Sequence, residues 1–443
     1  MKKYFLSLMT ILMVALVSVS VISCGDDDDE PMPVEPTNPN PDNPNNPSTP
    51  NNPNDGNNNR GPVASSFKGS GTKSDPYIIS TAAELRKLAD DVTDKGKAYV
   101  GAYFSQTADI TINKNVLNST GELSGYGPSL EEWKTIGKYG VEQFSGTYEG
   151  NNHTIYGIYI KGSDDNVALF YGGRIQNLTL KDTYIEGKYW VSSFGGFDIY
   201  NCTNYGTVKG ESCSGIGGLS IEDIVEKCKN HGKVCGKIHA AGISIKANVN
   251  MCVNYGNISS SGNSSSSSAA GISGYQGMHG VTTNCCNLGR VSGEHVAGIS
   301  YALTGKYESE RSHVINNVNC GVLEGTHGGG IICNAGYAAR LENNVNVGRN
   351  EGGSETCGIY YSSVNANITS KFKNNYYLSS SYLYRGKDEN GYNGENNRNM
   401  TEYEMKSQSF LDELNSNARM LGNEYSRWKF GKNGFPILEW VEE

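Results

Sequence analysis

The segment Asn201-Cys-Thr-Asn-Tyr-Gly-Thr-Val-Lys-Gly210 decides the fold, because variants of it recur along the chain. The five further copies are Lys227-Cys-Lys-Asn-His-Gly-Lys-Val-Cys-Gly236, Met251-Cys-Val-Asn-Tyr-Gly-Asn-Ile-Ser-Ser260, Asn284-Cys-Cys-Asn-Leu-Gly-Arg-Val-Ser-Gly293, Asn316-Asn-Val-Asn-Cys-Gly-Val-Leu-Glu-Gly325 and Asn343-Asn-Val-Asn-Val-Gly-Arg-Asn-Glu-Gly352. The fourth residue of every copy is an asparagine: Asn204, Asn230, Asn254, Asn287, Asn319 and Asn346. One unit therefore spans roughly 24 to 33 residues, a period typical of stacked structural repeats.

A second phrase, a small residue followed by Gly and an aliphatic residue, lies after each copy. It occurs as Ser214-Gly215-Ile216, Ala241-Gly242-Ile243, Ala270-Gly271-Ile272, Ala297-Gly298-Ile299, Gly329-Gly330-Ile331 and Cys357-Gly358-Ile359. The apolar stretches of each unit are too short for an amphipathic helix. Short β-prone segments that are separated by turn residues are typical of strands.

These repeats predict an all-β fold, a single-stranded parallel β-helix that winds right-handed and carries small helical and hairpin caps at both ends. Each repeat would form one coil, about 4.8 Å above the last. Equivalent residues would then form columns: interior aliphatics (Val208, Val234, Ile258, Val291, Leu323), a ladder of the six asparagine amides, and glycines (Gly206, Gly232, Gly256, Gly289, Gly321, Gly348) that turn at φ > 0. We interpret the amide ladder as a stabilising element. A leucine-rich repeat is the alternative solenoid, but its leucine spacing is absent.

Four cysteines occupy one repeat position: Cys202, Cys228, Cys252 and Cys285. Side chains in register point the same way, whereas a disulfide needs Cβ atoms that approach each other. We therefore predict a buried column of free thiols. No pair of CxxC motifs indicates a zinc site.

The N-terminal region indicates export. Residues 1–23 contain two lysines and an apolar run that resemble a bacterial lipoprotein signal peptide, which implies a lipid on Cys24. Residues 24–66 hold this cysteine, an acidic run at 26–30 and a Pro- and Asn-rich tether that we expect to be disordered. The predicted location is therefore the bacterial outer membrane, on its extracellular side.

The charge excludes nucleic acid as a partner. The chain has a formal net charge of −9, and removing residues 1–62 leaves 34 basic and 38 acidic residues without a basic cluster. We expect a monomer without cofactors.

The remaining chain divides into an N-terminal cap with the first strands at 67–130, the repeats at 131–395, and a C-terminal helix and hairpin at 396–443. Thr81 with Glu84, and Thr401 with Glu404, have the spacing of helix capping boxes. The hairpin is predicted around Asn433-Gly434.

The segments Trp133-Lys-Thr-Ile-Gly137 and Phe144-Ser-Gly-Thr-Tyr-Glu-Gly-Asn-Asn-His-Thr-Ile155 resemble bacterial surface lipoproteins with GLUG-motif repeats, as do Val167–Gly172 and Ile175–Leu180. This resemblance covers about 67–443 and implies a β-helix on a cell surface, linked with adhesion. It implies no catalytic residues.

Two groups of side chains are candidate sites. His295, His327 and Glu355 lie three residues before a Gly-Ile pair and would stack on consecutive coils, where they could hold a metal or act as acid and base. The alternative is an outward polar column that was copied with the repeat. The second group contains aromatic residues that could contact a sugar or another surface, or pack within the coils instead: Tyr189, Trp190, Tyr205, Tyr255, Tyr360 and Tyr361.

The leading functional hypothesis is a surface-anchored lipoprotein whose β-helix binds a glycan or a host or partner surface without catalysis. The alternatives are a glycan-degrading β-helix enzyme, either a lyase or a glycoside hydrolase, and a structural surface component.

Overall fold

The computed structural model describes residues 60–124, 129–218, 220–263, 267–276, 279–303, 312–335, 339–353, 355–361, 371–381 and 395–443. The predicted signal peptide, Cys24 and the tether as far as residue 59 lie outside the described residues.

The described chain is a parallel β-helix, as predicted, with three long sheets and one short sheet along its axis. Sheet A contains Tyr77–Ile79, Tyr103–Gln106, Thr147–Glu149, Arg174–Gln176, Asp198–Tyr200, Ile224–Glu226, Asn248–Asn250, Val281–Thr283, Ser312–Ile315, Ala339–Glu342 and Lys371–Lys373. Sheet B contains Ile110–Thr111, Thr154–Tyr156, Thr179–Lys181, Thr203–Asn204, Lys229–Asn230, Val253–Asn254, Cys286–Asn287, Val318–Asn319, Val345–Asn346, Tyr376–Leu378 and Arg398–Met400.

Sheet C contains Tyr159–Lys161, Tyr184–Glu186, Tyr189–Ser192, Thr207–Ser214, Val234–Ala241, Ile258–Ser260, Ser268–Ala270, Val291–Ala297, Leu323–Gly329 and Glu355–Cys357. Sheet D contains Ser273–Gln276, Ser300–Leu303 and Ile332–Ala335. A 3-10 turn covers Ser379–Ser381. All strand pairs within these four sheets are parallel, because each coil passes through them in the same direction.

The repeat copies stack in register. Val208 pairs with Val234, Val234 with Ile258, Ile258 with Val291 and Val291 with Leu323, and all five side chains are buried. The predicted aliphatic column is confirmed. Burial of apolar side chains in such a column is the main source of its stability.

The six asparagines form a continuous amide ladder in the interior. From Asn204 to Asn346, the Nδ2 atom of each donates to the Oδ1 atom of the next at 2.9 Å. Each side chain also binds its own turn; at Asn254, Oδ1 accepts the N–H of Gly256 at 3.2 Å and Nδ2 donates to the Gly256 carbonyl at 3.0 Å. All six side chains have no solvent exposure. Their amides are therefore satisfied within the protein.

The glycines at the sixth position of each repeat copy are required for a different reason from the predicted one. The left-handed residues of the repeat are the first residues of each phrase, such as Asn201 at φ 49° and Lys227 at φ 55°, and Gly206 and Gly232 are not among them. A Cβ atom on Gly232 would overlap the carbonyl oxygen of Gly206 in the preceding coil. The prediction of a φ > 0 bend at these glycines is wrong, and close approach between coils is the reason for glycine.

A second column of glycines lies on the other side of the ladder. A Cβ atom on Gly242 would lie 2.7 Å from the amide carbon of Asn254, and one on Gly298 would lie 2.5 Å from that of Asn319. These glycines belong to the Gly-Ile phrases. The amide ladder is therefore enclosed between two columns that exclude side chains.

The predicted thiol column is confirmed. Cys202, Cys228, Cys252 and Cys285 are buried free thiols. The Cys228 Sγ accepts the N–H of Cys202 at 3.4 Å and donates to the carbonyl of Glu226 at 3.3 Å. In later coils, asparagines continue the column as a second amide ladder: Asn317, Asn344, Asn375 and Asn397.

The N-terminal cap covers the first coil. Helix α1, Ala82–Thr93, begins with the predicted capping box, in which Thr81 accepts the N–H of Glu84 and Glu84 accepts that of Thr81. Its buried Leu85 and Leu88 join the same apolar core as Phe104 of sheet A.

The C-terminal segment contains α2 at Glu402–Met405, α3 at Gln408–Leu421 and an antiparallel hairpin of Trp428–Phe430 with Pro436–Leu438. The second capping box, Thr401 with Glu404, is also confirmed.

This segment packs on the flank of the solenoid, whereas the sequence predicts a cap at its open end. Val253, Cys286, Val318 and Val345, which face outward from sheet B, contact its apolar residues: Met405, Phe410, Leu414, Trp428 and Ile437. The equivalent residues of earlier coils, Thr203 and Lys229, are polar and lie outside this cluster. The apolar stripe therefore marks the coils that the segment covers.

Replacing Gly256 with Ala should destabilise the protein, because the new Cβ would overlap the carbonyl oxygen of Gly232. We expect a loss of about 1–3 kcal/mol in the free energy of unfolding, measured with urea. Gly162→Ala is the matched control, since the nearest atom would lie 3.9 Å from its added Cβ, and its effect should stay within about 0.5 kcal/mol. Equal effects of both changes would contradict the close-approach explanation.

Replacing Asn254 with Ala should remove the central member of the ladder and leave the amides of Asn230 and Asn287 each without one bond. We expect a loss of at least about 3 kcal/mol, since buried polar groups lose their partners. The exposed Asn257 of the same coil gives the control, Asn257→Ala, which should be nearly neutral. A nearly neutral Asn254→Ala would show that the ladder is dispensable.

Candidate functional site

One file of residues runs along sheet C, in which Ser212 and Ser268 are buried and the other members are partly or fully exposed. Its members pair in register from coil to coil: Tyr189, Ser212, His239, Ser268, His295, His327 and Glu355. Six steps of about 4.8 Å give the file a length of about 29 Å. The predicted stacking of His295, His327 and Glu355 is part of this longer file.

Side chains from sheet D and from the loop after Gly358-Ile359 face the later part of the file. Together they enclose a cleft of about 290 Å³, named here the His–Tyr cleft. It is lined by Glu294, His295, Tyr301, His327, Cys333, Asn334 and Tyr361. Small residues next to the file, Ala270 and Ala297, leave room for the ring of Tyr301. The cleft thus combines aromatic faces with polar groups.

His327 lies between two carboxylates. Its Nε2 atom is 3.2 Å from Glu355 Oε2, and its Nδ1 atom is 3.6 Å from Glu294 Oε1. The second distance is too long for a direct hydrogen bond, and Nδ1 is buried without a hydrogen-bond partner among the described residues. The Tyr361 hydroxyl donates to Glu355 at 3.1 Å. A ligand group could therefore satisfy Nδ1.

The geometry does not favour a metal site at His295, His327 and Glu355. The two imidazoles stack face to face, with ring centroids 4.8 Å apart and 15° between their planes. Their nitrogen lone pairs lie in these nearly parallel planes and do not converge on one point. In the described ranges, no group of His, Cys, Asp or Glu side chains could hold a metal ion.

Burial shifts the pKa values of side chains in the file and in the cleft. It lowers the pKa of His239, and it lowers the pKa of His295 together with the charge of the neighbouring His327. Burial also raises the pKa of Tyr301 to about 12, and burial and the bond to Glu355 raise the pKa of Tyr361. His239 and His295 are therefore neutral near pH 7, and both phenols stay protonated.

The N-terminal end of the file carries the predicted pair Tyr189 and Trp190. A register shift between Tyr189 and Val191 accommodates Trp190 as an extra residue, so both rings stay partly exposed while Val191 is buried. The Lys246 ammonium lies 3.7 Å from the centroid of the Trp190 ring.

Tyr360 is not available for ligand contact. Only 4% of it is exposed, and its ring packs against Phe372 in the main core. The adjacent Tyr361 points the other way, as alternation along an extended chain requires.

Tyr205 and Tyr255 lie on another corner, in a stack with His231. The ring centroids are 4.5 Å and 4.4 Å apart, with 10° and 6° between planes. Lys181 covers the outer face of Tyr205 at 5.0 Å, and the Tyr255 hydroxyl donates to the Glu442 carbonyl at 2.6 Å. These rings offer edges rather than open faces, so the structure does not favour them as sugar-stacking platforms.

Sequence reasoning missed Tyr301, Glu294 and Lys246. A signal for Tyr301 exists, because it follows Gly298-Ile299 at the same distance as Tyr361 follows Gly358-Ile359. No comparable pattern marks Lys246, which reaches Trp190 across coils.

A larger cavity, of about 760 Å³, lies between the C-terminal hairpin and the solenoid. Apolar residues Leu288, Cys320 and Phe435 and charged residues Arg349 and Glu351 line it. It contains no histidine and none of the predicted site residues, so the His–Tyr cleft is the better candidate.

The chain has only limited sequence similarity to known proteins. No protein-family model matches the chain, so the likeness to GLUG-motif proteins stays a sequence-based prediction. Over 161 residues the chain is 29% identical to "Halomucin" of Haloquadratum walsbyi, covering 34% of this chain and 2% of that protein. Over 122 residues it is 31% identical to a "Putative Gly-rich membrane protein" of Evansella cellulosilytica, covering 26% and 12%. The chain thus spans a small part of these curated relatives.

Among solved structures, a "putative immunoglobulin A1 protease" from Bacteroides ovatus aligns with 84% of this chain and 95% of its own. The TM-score is 0.44 and the identity 17%. Within the described ranges, none of the helices has the length and apolar character needed to span a bilayer.

Acid should destabilise the fold between about pH 6.5 and pH 5, above the range where Asp and Glu titrate. The folded pKa values of His239 and His295 are lowered, so the unfolded chain binds these protons first and stability falls as the pH falls. Urea unfolding of His239→Gln/His295→Gln should show a weaker pH dependence. The exposed His279→Gln is the control; if it weakens the pH dependence equally, His239 and His295 are not responsible.

Proposed function

We propose that this chain is a surface-anchored, non-catalytic binding protein that holds a glycan in the His–Tyr cleft. The observation that carries the proposal is the buried Nδ1 atom of His327, which has no hydrogen-bond partner among the described residues and faces Glu294 at 3.6 Å. A sugar hydroxyl can donate to one of these groups and accept from another. An unsatisfied buried polar atom is costly, which favours a bound partner.

The surrounding side chains support a sugar over an apolar ligand. Neutral imidazole edges and the amide of Asn334 can exchange hydrogen bonds with hydroxyls, and Tyr301 and Tyr361 supply apolar ring faces. The Tyr361 ring centroid lies 5.4 Å from that of His327. The straight file along sheet C suits an extended chain of sugars more than a compact metabolite.

The anchoring part of the proposal comes from the sequence. The apolar segment before Cys24, the acidic run after it and the Pro- and Asn-rich tether support a lipid-anchored protein on the outside of the bacterial outer membrane. Such a tether would present the solenoid to glycans or to a host or partner surface, which fits an adhesion-type role for a monomer. The resemblance to GLUG-motif surface proteins points in the same direction.

A second candidate, a glycan-degrading enzyme, is favoured by one observation. His327 lies beside two carboxylates, and Tyr361 is bonded to one of them, which provides the groups needed for acid–base chemistry. Shortened glycan products that disappear with His327→Gln would support this activity over binding alone.

Replacing Tyr361 with Ala should weaken glycan binding about tenfold or more, because the cleft loses a ring face and the donor to Glu355. The measurement is a glycan array with the purified chain, followed by calorimetry on the best ligand. Tyr403→Ala is the matched control, since Tyr403 is 86% exposed on α2 and remote in sequence from the cleft.

Two outcomes would contradict the proposal. Equal glycan affinity of the Tyr361→Ala and Tyr403→Ala variants would show that the His–Tyr cleft does not bind the glycan. An array without any bound glycan would reject glycan binding and leave the structural surface component as the better hypothesis.

A further inference from the structure

The N-terminal end of the file contains two aromatic rings, each with a lysine on its face. Lys188 Nζ lies 5.2 Å from the Tyr189 ring centroid, and Lys246 Nζ lies 3.7 Å from that of Trp190. Consecutive residues thus present two ring–ammonium pairs at one end of the candidate site. This pairing is separate from the histidines that carry the proposed function.

The backbone holds Trp190 in an unusual conformation. Its φ is 58°, in the left-handed region that bulky residues rarely adopt, and it lies at the register shift of sheet C. Strain of this kind persists only where surrounding contacts maintain it, and it is enriched at ligand sites. The backbone conformation of this coil therefore fixes the position of the Trp190 indole.

Neither lysine is neutralised by an acidic side chain. Among the described residues, no carboxylate oxygen lies within ion-pair distance of Lys188 or Lys246. The nearby acids are engaged elsewhere: Asp165 accepts the N–H of Tyr189 at 3.3 Å, and the interaction with Glu211 raises the pKa of Tyr189. Burial lowers the pKa of Lys246, so its ammonium is incompletely hydrated and gains most from an anionic partner.

We propose that this end of the file is a subsite for an anionic sugar, with its carboxylate or sulfate on Lys246 and Lys188 and its ring against Tyr189 and Trp190. The inference rests on the proposed function, since it names the charge of the glycan and the place where that charge binds. An ammonium can donate three hydrogen bonds to such a group, and the ring face opposite each lysine can accept the apolar side of a sugar ring.

The opposite end of the file has carboxylates beside its histidine and no lysine among the residues that line the cleft. Glu294 and Glu355 flank His327 there, and they disfavour a second anionic group. The lysines without an ion-pair partner at one end and the carboxylates at the other therefore orient the glycan, with its anionic residue toward Trp190 and neutral residues in the His–Tyr cleft.

The test uses the purified chain and length-matched oligosaccharides that differ only in charge. Oligogalacturonides are compared with their methyl esters, and sulfated carrageenan fragments with their desulfated forms, by calorimetry at low and high salt. We expect at least one anionic member to bind about tenfold more tightly than its neutral counterpart at low salt. Whether the tighter ligand is an oligogalacturonide or a sulfated fragment distinguishes a carboxylate from a sulfate. High salt should reduce the preference for the anionic oligosaccharide.

Lysine variants test whether Lys246 causes the preference for anionic oligosaccharides. Lys246→Met keeps the apolar stem without the charge and should abolish the preference, whereas Lys246→Arg should retain it. Lys73→Met, at an exposed position in the N-terminal cap, is the control and should change nothing.

Equal affinities for charged and neutral members, or an unchanged preference in Lys246→Met, would overturn the inference while glycan binding in the His–Tyr cleft still stands. If none of the oligosaccharides binds and the glycan array is also empty, the proposed function fails as well. Circular dichroism of each variant confirms that a lost preference does not reflect unfolding.

Discussion

The buried ladder of side-chain amides is the interaction on which the rest of the structure depends. Asn254 shows the arrangement, because its amide bonds the coil before it, the coil after it and its own turn. A buried amide without partners is costly, so a slip of one coil against the next would break several such bonds. The ladder therefore fixes the register of the solenoid, and the glycines on both sides allow the coils to approach closely enough for it to form.

Much of the fold was predictable from the sequence, since equal spacing of the repeats becomes stacking in space. The aliphatic column, the amide ladder, the thiol column and both capping boxes follow from local residue patterns. The reason for glycine at Gly232 was not predictable, because a missing Cβ fits both a left-handed turn and a close contact. Only the neighbouring coil decides between these two explanations.

The candidate site was harder to predict because it depends on side chains that reach across coils. The file of His295, His327 and Glu355 follows from spacing, but the stacked geometry of the two imidazoles, which the spacing does not give, disfavours the metal that their chemistry suggested. Likewise, exposure separates Tyr361 from its neighbour Tyr360, which one-dimensional patterns treat alike. The ladder positions repeat the same residue in all six copies, whereas the file changes from coil to coil. The proposed binding site thus lies where the copies differ, on a framework that they share.

The flank-bound C-terminal segment changes how such a solenoid can come apart. In a stack of repeats, each coil contacts only its neighbours, so terminal coils can peel away one at a time. Here one segment bonds many coils: Glu442 contacts Lys229 and Tyr255, Trp428 contacts Asn316, and Glu413 contacts Tyr376. The C-terminal segment therefore couples the opening of one coil to the opening of several others. Because it follows every coil that it covers along the chain, the apolar stripe beneath it stays uncovered until the segment itself has been synthesised, and its removal would expose an apolar surface on the folded coils.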